Sequence, residues 1–316
     1  MKALVVENKS ISLQEGLRLP KTKGNELLVK VVCASVNQLD AENIQGKYDF
    51  LLKILGSNYP VKTGIEFSGI VVEGCGKFKQ GNKVFGYVNL MKGVKAHQEY
   101  ISVSEDYIAL IPDGLSFEQS AALPLGALTS LVALRDIGGL TQGSRVLING
   151  ASGGLGVYAI QLAKIFGASV TAIAGAEQET FLNSLGADKV INYHEQPIES
   201  LTETFDVLLD LSNQKLFKEI KHLLKAKGRF IPAEPNKHLL NIVASFFTAK
   251  KTNYLMVDRG DHEQLTQISE WVKEGKLKPY VDSVYAFENY QSAFDRLRAK
   301  GKQGRIVIKI SANAGA

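Results

Sequence analysis

The segment that most constrains this chain runs from Arg145 to Ala168, RVLINGASGGLGVYAIQLAKIFGA. Val146 to Ile148 reads as a buried strand. A glycine cluster follows, and then Leu155, Ala159, Leu162, Ala163 and Phe166 recur at helical spacing. Strand, tight turn and helix open a βαβ unit. Ala151-x-Gly153-x-x-Gly156 stands in the register of the dinucleotide fingerprint, with alanine for the first glycine and an extra one at Gly154. Position 151 must allow the tight turn, Gly153 must let a pyrophosphate approach bare backbone, and Gly156 must let the helix lie close on its strand. The unpaired N–H groups of the helix start then face the anion. The context agrees, because a second strand follows at Ser169 to Ala174, then a polar helix with Leu182 and Leu185, then Val190 to Tyr193.

Strand and helix keep alternating: Phe205 to Leu211, an amphipathic helix from Gln214 to Lys225, and a strand from Gly228 to Pro232. This pattern predicts an α/β doubly wound parallel sheet. The chain before it has another texture. Leu4 to Val6, Leu27 to Ala34, Ile70 to Glu73, Gly81 to Gly86 and His97 to Ile101 are short β-rich runs punctuated by turns, as in a twisted, mainly antiparallel β-domain. Ser116 to Gln119 forms a capping-box-like start, and Ala121 to Ala133 is a small-residue helical run leading to the glycine motif. The expected boundaries are a β-rich domain over 1–120 and a dinucleotide-binding domain over 121–257, with the tail, 258–316, open to rejoining the first domain's sheet. The tail supplies a helix around Gln264 to Lys273, a strand at Val281 to Phe287, a helix at Tyr290 to Leu297 and a final strand, Arg305 to Ile310. Within Leu239 to Ala249 the adjacent Phe246 and Phe247 point to core packing, with a pocket or an interface as the alternative.

At 316 residues, 22% of them charged and with a formal charge of +5, the basic residues form no block and no aromatic interleaving, so nucleic acid is not an expected partner. The opening MKALVVENKS holds only a short apolar run, so neither a membrane segment nor a signal peptide is expected, and the cytoplasm is the default location. Cys33 and Cys75 are the two cysteines, too few for a disulfide framework or a four-cysteine zinc site. Glu66 lies among apolar neighbours and reads as one half of a buried ion pair. Asn37 and Asp40 fit a turn and a helix start, where their side chains bond to local backbone.

Six motifs, the glycine cluster among them, carry a resemblance: Ser35-Val36-Asn37-x-x-Asp40, Gly64-x-Glu66-Phe67-Ser68-Gly69, Gly81-x-x-Val84-Phe85-Gly86, Ala121-Ala122-Leu123-Pro124-x-x-x-Leu128-Thr129, Gly150-Ala151-Ser152-Gly153-Gly154-x-Gly156 and Leu185-Gly186-Ala187-Asp188-x-Val190-Ile191-Asn192-Tyr193. In this order the chain resembles the medium-chain dehydrogenase/reductase superfamily, in its zinc-free quinone oxidoreductase branch, nearest the enone and alkenal reductases. The resemblance implies a GroES-like domain, a Rossmann domain and an active cleft between them. It also implies an NAD(P)H-dependent enzyme that passes hydride to quinones or to the activated C=C of enones and enals. Asn37, Asp40 and Tyr48 would be its catalytic-cleft residues, acting by positioning. Thr129, Ala151, Ser152, Gly153, Gly154, Leu155, Gly156, Gly175 and Tyr193 would hold the cofactor. No metal is expected, since Asn37 and Ile65 stand where zinc-dependent relatives carry ligands. The partners expected are a small-molecule acceptor and a second copy in a homodimer. Ala174 and Gly175, at the end of the second strand, leave space for a 2′-phosphate and favour NADPH, whereas Glu177 opposes it and keeps NADH open. A non-catalytic relative, or one using the cleft for non-redox chemistry such as cyclisation, is the alternative.

Overall fold

A computed structural model of the chain describes residues 1–47, 61–90 and 96–311. The β-rich part comprises β1 (Ala3–Glu7), β2 (Ser10–Gln14), β3 (Glu26–Val36), β4 (Val61–Lys62), β5 (Glu66–Glu73), β6 (Lys83–Tyr87), β7 (Tyr100–Ser104) and β8 (Ile108–Leu110). The second part comprises β9 (Arg145–Asn149), β10 (Ser169–Ala174), β11 (Lys189–Asn192), β12 (Phe205–Asp210), β13 (Leu224–Pro232) and β14 (Lys251–Thr252). The tail adds β15 (Val281–Ala286) and β16 (Arg305–Lys309).

Among the described residues, β9 to β14 form one parallel sheet in the order β11-β10-β9-β12-β13-β14. The order reverses between β9 and β12, which is where an open α/β sheet leaves a crevice at the carboxyl ends of its strands. The β-rich sheet runs β15-β16-β3-β5-β6-β8, with β7 also on β3. Strand β16 pairs antiparallel with β3, Ile306 opposite Val36 and Lys309 opposite Cys33, so the tail completes the sheet of the chain's first part. The fold is thus a GroES-like β-domain joined to a Rossmann sheet. Leu147, Ile173, Leu208 and Phe230 pack on one face of the parallel sheet. Val146, Ile148, Ala172 and Leu209 pack on the other, in the cluster that extends into the β-rich part. Each of the Val, Leu, Ile and Phe side chains among them contributes about 1.5–3 kcal/mol when fully buried.

Local chemistry sets several boundaries. Helix Phe117–Ala121 opens on the expected capping box, with Ser116 Oγ accepting from Gln119 N at 3.2 Å. The run from Ala121 to Ala133 is not one helix. It restarts at Pro124, which lacks an N–H and suits a first helical position, runs to Leu131 and ends in a π-helical turn over Val132–Ile137. The amphipathic helix expected over Gln214 to Lys225 is also shorter, with α-helix only at Phe217–Ile220 before a 3₁₀ turn. Leu224 is instead captured by the sheet, opposite Phe205. Phe246 and Phe247, expected in the core, follow helix Leu239–Ser245 and are 75% and 90% exposed. That helix buries Ser245 and turns its apolar residues outward, so apolar composition overstated burial there. Cys33 is buried, and burial pushes its thiol up to about 12, the state of a packed side chain rather than a nucleophile.

Candidate active site

The dinucleotide turn follows β9 directly. Gly150 and Ala151 both donate N–H to Ile173 O at 3.2 Å, which holds the turn against the neighbouring strand. The left-handed residue is Gly150 at φ +84°, not position 151, which explains how alanine fits the first place of the fingerprint. Gly156 is a packing requirement, since a Cβ there would lie 2.3 Å from Ala151 O. Gly153 is different. Its Cβ would meet only Gly150 O, at 3.5 Å, so the protein leaves open space there of the kind a pyrophosphate needs. Helix Gly156–Ile165 starts at the end of this turn.

Helix Pro124–Leu131 closes one side. Gly126 lets it approach, for a Cβ would stand 2.6 Å from Gly154 O and from the Tyr158 ring. Ser130 Oγ donates to Leu155 O at 3.0 Å. Beside Ser130, Thr129 is 8% exposed and its Oγ1 has no hydrogen-bond partner. A buried hydroxyl left unpaired costs on the order of 1–3 kcal/mol, and a bound ligand can supply the missing partner.

The tail closes the other side. Gly304 N donates to Ser152 O at 3.2 Å, and Gln303 Nε2 to Gln178 Oε1 at 3.0 Å. Arg305 then turns inward. Its guanidinium pairs with Glu66 and donates to Asn37 Oδ1, and a Cβ on Gly154 would lie 2.6 Å from its Cδ. Arg305 and Glu66 are 6% and 0% exposed at the side chain. Burial lowers the Arg305 pKa to about 10, with Asp40 acting in the opposite direction, so the group is charged at neutral pH. The buried ion pair expected for Glu66 is therefore present. Its other oxygen accepts from Leu125 N at 2.7 Å, tying β5 to the helix that carries Thr129.

Asn37 and Asp40 come together at the start of helix Gln38–Ile44, and both are buried. Asp40 Oδ2 accepts from Asn37 N at 2.9 Å and Oδ1 from Gly64 N at 2.7 Å, so both oxygens serve backbone amides and the residue positions the loop. Gly64, at φ +87°, passes so near His97 that a Cβ would lie 2.3 Å from its backbone N. His97 is fully buried between Thr63 Oγ1 at 2.9 Å and Ser35 O at 3.1 Å, and burial lowers its pKa, with Asp40 partly opposing. Tyr48 lies outside the described residues.

At the end of β10, a Cβ on Gly175 would stand 2.5 Å from Glu177 Oε2, which puts that exposed carboxylate over the strand end. Tyr193 N donates to Ala174 O at 3.1 Å, and its half-exposed ring lies 4.2 Å from that of His194. Gly175, Glu177 and Tyr193 thus share one corner of the crevice. The residues overlooked in the sequence are Arg305 and the Thr63–His97 pair. The one signal for Arg305 was a charged residue opening a strand that continues with the apolar Ile306, Val307 and Ile308.

The residues fit a reduced or oxidised nicotinamide dinucleotide: an open Gly153, an unpaired Thr129 hydroxyl and a buried cation beside Gly154. They do not fit a catalytic zinc. The Asn37 amide oxygen is taken by a guanidinium, position 65 is isoleucine, and among the described residues no three His, Cys, Asp or Glu side chains gather as a ligand set.

Comparison with known proteins agrees with this architecture. Residues 23–113 match the alcohol dehydrogenase GroES-like domain and residues 185–308 the zinc-binding dehydrogenase family. The tomato (Solanum lycopersicum) 2-methylene-furan-3-one reductase is 30% identical over 310 residues, covering 94% of this chain and 75% of the relative. The chain belongs to the medium-chain dehydrogenase/reductase superfamily. The Arabidopsis thaliana NADPH-dependent alkenal/one oxidoreductase, chloroplastic, is likewise 30% identical, over 94% of this chain and 75% of that one. The quinone oxidoreductase from Coxiella burnetii superposes with a TM-score of 0.88 at 29% identity, covering 98% of this chain and 99% of that one. Within the superfamily this is an oxidoreductase of the quinone-oxidoreductase-like type. No helix among the described residues is long and apolar enough to cross a membrane.

Proposed function

We propose that this protein is a zinc-independent, NAD(P)H-dependent reductase of quinones or of the activated C=C of enones and enals. The observation that carries the reading is the buried Arg305, whose guanidinium joins Asn37 and Glu66 beside Gly154 of the dinucleotide turn. It puts a fixed cation at the turn, where a pyrophosphate is favoured, and fills the metal-ligand position with a group that repels metal ions. A nicotinamide dinucleotide bound here supplies the hydride. Gly150 to Gly156, Thr129 and Arg305 are the residues that would hold it, with Gly175 and Tyr193 at the adenosine corner.

The chain's own part is orientation and polarisation. Because Arg305 occupies Asn37 Oδ1, the amide is fixed with Nδ2 as its donor end. Nδ2 makes one long bond, to Ser35 O at 3.4 Å, and its second N–H would be the one to serve an acceptor's carbonyl oxygen. A hydrogen bond there would polarise the acceptor's carbonyl and stabilise negative charge on its oxygen. Asp40 keeps this loop in place through Asn37 N and Gly64 N. The test is cofactor oxidation against a panel of quinones, enals and cyclic enones, run with NADH and NADPH separately. Turnover with at least one class supports the reading, whereas a bound cofactor that no acceptor oxidises favours the non-redox alternative.

A further inference from the structure

The Asn37 amide is held at both ends, and the holder at its donor end is shared. Arg305 occupies Oδ1, and Nδ2 reaches Ser35 O at 3.4 Å. The same carbonyl oxygen meets Nε2 of His97 at the shorter distance of 3.1 Å, while Nδ1 of that ring meets Thr63 Oγ1 at 2.9 Å. Thr63, His97, Ser35 and Asn37 are all buried. Ser35 is itself anchored, its Oγ donating to Ala121 O at 2.6 Å.

A carbonyl oxygen only accepts, so Nε2 of His97 carries a proton whatever the charge of the ring. In the neutral ring Nδ1 then accepts from the Thr63 hydroxyl. Burial favours that form by lowering the His97 pKa, against Asp40 and the bond to Ser35. The ring is fixed in this setting. A Cβ on Gly64 would lie 2.7 Å from its Cγ and Cδ2, and the Phe294 ring stands edge-on at 6.3 Å. The backbone is pinned as well, with His97 N donating to Thr63 O at 2.9 Å and Leu4 N to His97 O at 2.8 Å.

Ser35 O has two lone pairs and takes two donors, the nearer one from a ring that is packed in place. A side-chain amide that leaves a buried carbonyl strands it, at the cost of an unmade hydrogen bond. As the second N–H of Asn37 Nδ2 closes on an acceptor's oxygen, the long bond to Ser35 O lengthens or breaks. His97 keeps the carbonyl paired when it does. We propose that His97 is a positioning residue, which holds Ser35 O through Nε2–H so that the Asn37 amide can turn to the acceptor without stranding that carbonyl. The proposal rests on the reading of Asn37 as the acceptor's hydrogen-bond donor.

Two measurements test it. In ligand-free protein, ¹⁵N spectra of labelled histidine, tractable in a chain with five of them, should show His97 protonated at Nε2. The Asn37 side-chain amide signals should shift in His97→Phe, which removes the donor, and return towards wild type in His97→Gln, whose amide can reach Ser35 O instead. Thr63→Val keeps the ring and removes only its hydroxyl partner, so it is the milder second variant and should move the same signals. An unprotonated Nε2, or Asn37 signals indifferent to these substitutions, overturns the proposal. In turnover of NADH or NADPH with an α,β-unsaturated ketone, His97→Phe should lower kcat roughly tenfold, the value of one neutral hydrogen bond, with dinucleotide affinity unchanged. His97→Gln should recover most of the loss. Asn37→Ala should mask it, since the ring acts only through Asn37. A merely structural role would add its loss to that of Asn37→Ala, so additive losses, or a fall in dinucleotide affinity alongside kcat, overturn the proposal. Asn37→Ala with the wild-type kcat would refute the reading of Asn37 instead, with the ligand-free spectra still deciding whether His97 holds its amide.

Discussion

Replacing Arg305 and Glu66, singly and together, separates the two tasks of the buried pair. The partners are 6% and 0% exposed, so a single truncation leaves an uncompensated buried charge, a loss of about 3–5 kcal/mol. For Arg305→Met or Glu66→Leu this corresponds to a drop in melting temperature on the order of 10 °C. The double variant removes both charges. What remains is mainly the Leu125 N–H, which loses Glu66 Oε2 as acceptor, at about 1–3 kcal/mol. The double variant should therefore be more stable than either single one, in calorimetry or urea unfolding. Cofactor titration splits the pair the other way. Arg305→Met removes the cation beside Gly154 and should weaken dinucleotide binding about 10- to 100-fold, the value of one charge-assisted hydrogen bond, with Glu66→Leu having far less effect. Single losses below about 1 kcal/mol, or additive losses in the double variant, would refute the reasoning about burial. Equal cofactor affinity in Arg305→Met would refute the role at the turn.

Three further outcomes are expected. Glu177→Arg should raise the NADPH-to-NADH affinity ratio roughly tenfold at low salt, because the carboxylate over Gly175 is replaced by a cation at the corner that would take a 2′-phosphate; an unmoved ratio rejects that placement. Gly153→Val should fold normally and lose dinucleotide affinity, whereas Gly156→Ala should lower the melting temperature itself, because its Cβ meets Ala151 O at 2.3 Å; unchanged dinucleotide affinity in a folded Gly153→Val protein would reduce the motif to a turn. The His97 pKa is lowered in the folded state, so its contribution to stability is complete above the unfolded value of about 6.5 and is lost as pH falls through the folded one. Melting temperature should accordingly decline below about pH 6.5, and less so in His97→Gln; the same decline in both proteins would show that another group is responsible.

What the sequence made legible was what short-range pattern encodes. The strands on either side of the glycine cluster, the capping box at Ser116 and the fingerprint itself are local, and β10 spans Ser169–Ala174 as its apolar run predicted. Partners far apart in the chain were not legible. Glu66 read as half of an ion pair, but nothing nearby named Arg305, which also bonds Asn37 across 268 positions. Backbone angles were equally hidden, since only the structure shows that Gly150 carries the left-handed turn and leaves position 151 to alanine. Where tertiary forces opposed local preference, the expectation failed. Sheet pairing drew Leu224 out of a plausible helix, and the apolar run through Phe247 faces outward.

The proposed reaction is hydride delivery from a nicotinamide to an electrophilic carbon without metal. Its most direct measurement uses reduced cofactor carrying deuterium at C4, on the transferred face, with an α,β-unsaturated ketone as acceptor, in protein stripped of metal by a chelator. Deuterium should appear at the β-carbon of the saturated product, with no loss of rate on chelation. Label-free product, or activity that disappears with the metal and returns with added zinc, would contradict it.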